Sequence, residues 1–154
     1  MAHGRIIQVG REFIPADKTI GFGTFYDRDL SSLGIDYIGD KDECDAAELL
    51  LKLLGDTMKA HYAKRRCIVI DREKLKAKLE KHLNEYKAFV SKMTLSSSDV
   101  FRARTFLECC ISCDIWVYDW NRFGYTTSLF EYLRDMADTG DTKIYYNYSI
   151  DCHY

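Results

Sequence analysis

Apolar positions recur along this chain with two different periods, and those periods lay out its elements before composition is considered. Residues 5–26 read as extended: Arg5-Ile6-Ile7-Gln8-Val9 ends at Gly10, Phe13-Ile14 stops at Pro15, and Lys18 to Tyr26 alternates aromatics with glycines. β-Branched and aromatic residues bounded by Gly and Pro are strand signals. From about Asp45 to Lys64, Ala46, Leu49, Leu50, Leu53, Leu54, Met58 and His61 fall three and four apart, which predicts a helix with one apolar face. Acids at its start and Lys64, Arg65 and Arg66 at its end complement the helix dipole.

Cys67-Ile68-Val69-Ile70 is short enough to be a buried strand, and Asp71 after it is placed to cap a helix. In that helix Leu75, Leu79, His82, Leu83, Tyr86, Phe89, Val90 and Met93 mark an apolar seam, with Arg72, Lys74, Lys76, Lys78, Lys81, Lys87 and Lys92 opposite. Ser96-Ser97-Ser98-Asp99 offers N-caps for a further helix over about 98–113, and Asp114–Trp120 reads as a strand. Ser128 to Ala137 predicts a short helix stopped near Gly140. In the last segment Ile144, Tyr146, Tyr148, Ile150, Cys152 and Tyr154 alternate with Tyr145, Asn147, Ser149, Asp151 and His153, a strand with one covered and one wet or binding face. The order predicts an α+β fold, a mainly antiparallel mixed sheet covered by three to four helices, as a single domain over residues 1–154. Residues 1–4 read as a cloning scar or an end without structure.

Composition excludes several classes. At 154 residues, 47% hydrophobic and 14% aromatic, the chain can bury a core and is not a disordered protein. No apolar run approaches the ~20 residues that cross a bilayer, and no signal-peptide core opens the chain. Both point to a cytoplasmic protein with no membrane partner. Its six cysteines (44, 67, 109, 110, 113 and 152) then read as reduced thiols rather than a disulfide framework.

Charge changes the picture more. Between Lys59 and Lys92 eleven basic residues face four acids, +7 in a chain whose net charge is −2. Residues 1–58 (six bases, eleven acids) carry −5 and residues 93–154 (five and nine) carry −4. Such a block is either a binding surface or internal compensation. Lys64, Arg65, Arg66, Lys74, Lys78 and Lys81 are accordingly candidates for contact with a phosphate backbone. Lysines outnumber arginines there, which fits a solvated helix face equally well.

The remaining chemistry is thin. Cys110-x-x-Cys113 has knuckle spacing but lies inside a predicted helix, and Cys152-His153 would point to opposite faces of a strand, so no metal site is expected. Gly21-Phe22-Gly23 lacks the helix a phosphate loop needs, and Asp27, Asp29, Asp36, Asp40 and Asp42 lack the calcium-loop pattern. No catalytic constellation and no cofactor follow. The aromatic set Trp116, Tyr118, Trp120, Phe123 and Tyr125, with Arg122, is the residue mix of protein–protein hot spots.

The function expected is therefore that of a small, non-catalytic binding protein with a protein partner, such as an inhibitor or accessory protein of a phage or mobile element. Monomer and symmetric homodimer both suit the sequence. The alternatives are a small hydrolase or transferase for a nucleotide-like or phosphorylated substrate, using Asp27, Asp29, Asp71, His61 or Lys64, and a nucleic-acid binder using the basic helix.

Overall fold

The computed structural model describes residues 3–21, 24–25, 37–42, 46–106, 115–122 and 125–153. Its elements run β1 (His3–Gly10), β2 (Tyr37–Asp42), α1 (Ala46–Leu54), β3 (Met58–Tyr62), β4 (Cys67–Ile70), α2 (Arg72–Val90), α3 (Ser97–Phe106), β5 (Ile115–Asp119), β6 (Tyr125–Ser128), α4 (Leu129–Thr139) and β7 (Lys143–His153). β1 thus begins inside the stretch read as a scar. All seven strands form one sheet in the order β3-β4-β7-β1-β5-β6, with β2 also paired to β7. Among the described residues only β1–β5 is parallel, and the other five pairings are antiparallel. The fold is α+β, as the alternation of elements predicts. No helix among the described residues is long and apolar enough to cross a membrane.

β7 is the spine. It pairs with β1 from Tyr145 to His153 on one side, and with β4 and then β2 on the other. Its period-two pattern does not make one covered face, because the register slips: Ile7 pairs with Ser149 but Val9 with Tyr146, so two residues of β1 match three of β7. Such a bulge inverts the phase of every later side chain. Ile144 and Tyr146 therefore enter the main core while Ile150 and Cys152 enter a second core on the opposite face. Asn147 and Ser149, expected on a wet face, are buried.

The main core unites Ile7, Val9, Ile68, Val117 and Ile144 of the sheet with Leu50 and Leu54 of α1, Leu75 of α2, and Leu129, Leu133 and Met136 of α4. The second core unites Ile6, Trp116, Tyr118 and Ile150 with Ile20 and Phe25. Among the described residues Ile20 and Phe25 cover this side, and Gln8 ties the segment down: it is fully buried, donates to the Lys18 carbonyl at 2.7 Å and accepts from Ile20 N–H at 3.1 Å. Residues 18–21 are accordingly not the strand their alternation suggested.

A second correction concerns the first helix. It ends at Leu54 instead of Lys64, because Gly55 adopts φ +52°, a left-handed conformation that stops the helix and is cheap only for glycine. Thr57 then bonds back to the Leu54 carbonyl at 2.7 Å, and Met58–Tyr62 pairs with β4 as a strand. α4 matches its signals better: the Ser128 side chain caps Glu131 N–H, and Gly140 at φ +81° closes the other end. The strand expected over Asp114–Trp120 is β5, with Trp120 already in a 3-10 turn; residues 107–113 of the predicted third helix lie outside the described residues.

Candidate functional site

α2 starts as its sequence requires and then leaves the core. The Asp71 carboxylate accepts from Lys74 N–H at 3.1 Å, capping a helix of 19 residues. At 1.5 Å rise per residue that is roughly 28 Å, about twice the length of β4. Only Leu75 is fully buried, with Leu79 packed on the core edge. Beyond them the seam meets α3 instead of the sheet. Phe106 stacks on His82 and on Phe89, at centroid distances of 5.1 and 5.4 Å, and tilts against Tyr86 at 5.9 Å. His82 Nε2 lies 3.0 Å from the Phe106 carbonyl, and its ring meets Phe130 of α4 edge-on at 5.9 Å.

The turn of this helical hairpin is held by its own polar groups. Ser96 Oγ accepts from Asp99 N–H at 3.2 Å, and the Asp99 carboxylate accepts from Thr94 N–H and Oγ–H at 2.9 and 2.7 Å. Those bonds, the Thr94 backbone N–H first, hold the Asp99 carboxyl below its ordinary value. Arg102 lies over the Phe89 ring, 5.4 Å from its centroid.

What the hairpin leaves uncovered is its most informative property. The residues that contact α3 or the core (Leu75, Leu79, His82, Tyr86 and Phe89) step by four and three, so Leu83 and Val90 sit one position, about 100°, round the helix. They are exposed, as are Leu95 (101%), Val100 (53%) and Phe101 (66%). Of the seven large apolar side chains exposed among the described residues, these five lie on the hairpin, and Phe13 and Tyr62 are the other two. Concentrations of that kind mark interaction sites on otherwise polar surfaces. Over residues 72–106 nine basic residues stand against four acids, so these exposed side chains lie on a segment of net charge +5.

The residues singled out from the sequence scatter by comparison. Lys74, Lys78 and Lys81 do form one stripe of α2, but Lys78 Nζ donates to the Leu53 carbonyl at 3.1 Å, satisfying the end of α1. Lys64 and Arg65 lie in the β3–β4 turn, at the opposite end of β4 from the start of α2. Arg66 closes that turn at φ +47°, donates to Asn147 Oδ1 and lies over the Tyr148 ring. Two of the six basic residues thus hold the fold. Trp116 and Tyr118 are buried in the second core, because the loop through Ile20 and Phe25 covers the face they share. Trp120 is half-buried in the 3-10 turn with Arg122; Phe123 and the side chains of Arg122 and Tyr125 lie outside the described residues.

The remaining candidates are structural or outside the description. Asp71 is a cap, and His61 Nε2 is bonded to the Tyr146 hydroxyl at 2.8 Å. Cys67 and Cys152 are buried. Burial, reinforced by Asp151, pushes the Cys152 thiol up to about 12, the reverse of what a nucleophile needs. Asp27, Asp29, Asp36, Cys44, Cys109, Cys110 and Cys113 lie outside the described residues. No three His, Cys, Asp or Glu side chains among the described residues are placed to hold a metal ion. The hairpin surface was the residue set that sequence reasoning missed: Leu83 and Val90 were counted into the seam, although the strict four–three spacing runs without them. No protein-family model, no curated protein and no solved structure matches the chain.

Proposed function

We propose that this is a non-catalytic binding protein that docks a partner protein on the α2–α3 hairpin. One observation carries this reading: five of the seven large apolar side chains exposed among the described residues lie on this hairpin, while its seam packs Phe106 against His82 and Phe89. The +5 field around them selects the chemistry of the partner, an acidic amphipathic helix whose apolar stripe covers Leu83, Val90, Val100 and Phe101. Nucleic acid is the poorer fit, since a phosphate backbone gives nothing for exposed Leu, Val and Phe to bury against. Of the residues an enzyme reading would use, Asp71 caps α2 and His61 is bonded to the Tyr146 hydroxyl. An inhibitor or accessory role inside the cell is the natural setting for such a surface.

The test compares the wild-type chain with the double variant Val100→Glu/Phe101→Glu as bait in extracts of the cells that produce it. The expected result is a protein retained by the wild type and lost from the variant, whose melting temperature is unchanged. Identical retained proteins from both baits, or retention abolished by nuclease treatment, would overturn the proposal.

A further inference from the structure

α4 carries Glu131, Asp135 and Asp138 at spacings of four and three, one stripe of a helix. Together with the end of β5 this stripe encloses a cleft of about 260 Å³, lined by Asp119, Glu131, Tyr132, Arg134, Asp135 and Asp138. Asp119 and Tyr132 are its floor, 2% and 3% exposed. Arg11, from the end of β1, ion-pairs with Asp135 and, at 2.7 Å, with Asp141, while Arg134 pairs with Glu131 at 2.6 Å. Among the described side chains, two arginines stand against the five carboxylates of Asp119, Glu131, Asp135, Asp138 and Asp141.

A second observation points to a ligand. The Tyr132 hydroxyl is buried and has no hydrogen-bond partner, although buried hydroxyls ordinarily find one. Burial first, and Asp119 next, push its proton loss above the ordinary tyrosine value, with Arg11 opposing. It is therefore a neutral hydroxyl with lone pairs to offer. The carboxylates are strung along a helix and not gathered round one point, and no three of them are placed to hold a metal ion among the described residues. Spread negative charge beside an unused hydroxyl matches a ligand with several N–H donors and a delocalised or flexible cation. The volume suits a small one.

We propose that this cleft binds an organic ammonium or guanidinium group, from either a free small amine or the Lys or Arg side chain of a partner. The test is NMR and calorimetric titration of the whole chain at pH 7 with three probes: agmatine, the blocked tripeptide acetyl-Gly-Arg-Gly-amide, and magnesium chloride. The expected result is saturable binding of agmatine or the tripeptide, with amide shifts at Asp119, Tyr132 and Asp138. Agmatine bound more tightly identifies a free amine as the source, and the tripeptide bound more tightly identifies a side chain. Asp138→Asn, on the exposed rim, weakens binding about tenfold, the loss of one charge pair at such a site. Tyr132→Phe weakens it about threefold without lowering the melting temperature, because the hydroxyl it removes has no partner in the free protein. Absence of saturable binding by both organic probes at millimolar concentration would overturn the proposal. So would affinity unchanged in both variants, or saturation by magnesium alone.

Discussion

The sheet and the α2–α3 hairpin use apolar side chains in opposite ways. In the sheet, β1, β5 and β7 bury residues on both faces, helices sealing one side and the loop through Ile20 the other. In the hairpin a single ring, Phe106, gathers His82, Tyr86 and Phe89, and the next positions round the helix face solvent. One region therefore buries its large apolar side chains, and the other leaves several of them facing solvent. Elements with few buried contacts open at lower free energy than the core they attach to.

The largest effect that tests this contrast comes from paired truncations. Leu133→Ala, at a fully buried position of α4, is expected to cost about 3 kcal/mol in urea unfolding. Val100→Ala on the hairpin is expected to stay within about 0.5 kcal/mol. Comparable losses at the two sites would break the comparison.

Alkaline pH gives a smaller effect that begins in the second core. The Cys152 thiol, ordinarily 9.0, is held up to about 12 by burial, so the folded chain keeps a proton that the unfolded chain releases. The stability this represents is complete below pH 9 and is lost as pH rises from 9 towards 12, at up to about 1.4 kcal/mol per pH unit. Urea midpoints between pH 8 and 10 should fall accordingly, and Cys152→Ala should flatten that slope even though it lowers overall stability. A slope unchanged by the substitution would place the titrating group elsewhere.

Asp71→Ala sharpens the comparison at the junction of the two regions. Loss of the cap on Lys74 N–H is expected to cost about 1 kcal/mol. Hydrogen exchange should then quicken along α2 and α3 while β1 and β7 keep their protection. Equal quickening in the sheet would mean that hairpin and core unfold as one unit.

Much of this was legible in the sequence, and the failures are instructive. Asp71, the seam of α2, the Ser128 and Gly140 caps of α4 and the alternation of β5 were readable because each is a local preference satisfied within a few residues. The overlong first helix failed at Gly55, where one left-handed residue outweighs a run of apolar positions that also suits a strand. The single covered face of β7 failed because a bulge requires a partner strand, and nothing within residues 143–153 encodes its position. What covers Trp116 and Tyr118 was not legible for a similar reason: it comes from residues about a hundred positions away. The meeting of Glu131, Asp135 and Asp138 on α4 with Asp119, Tyr132 and Arg11 was not legible, because it joins elements far apart in sequence.

By itself, then, the sequence determined the elements, the α+β class and the charge of the helical arm, because periodicity, caps and composition act over short distances. Tertiary structure alone decided which apolar residues are buried and which stay exposed. It also brought the five carboxylates to one end of β5, because strand order, register and the single parallel pairing of β1 with β5 are long-range choices.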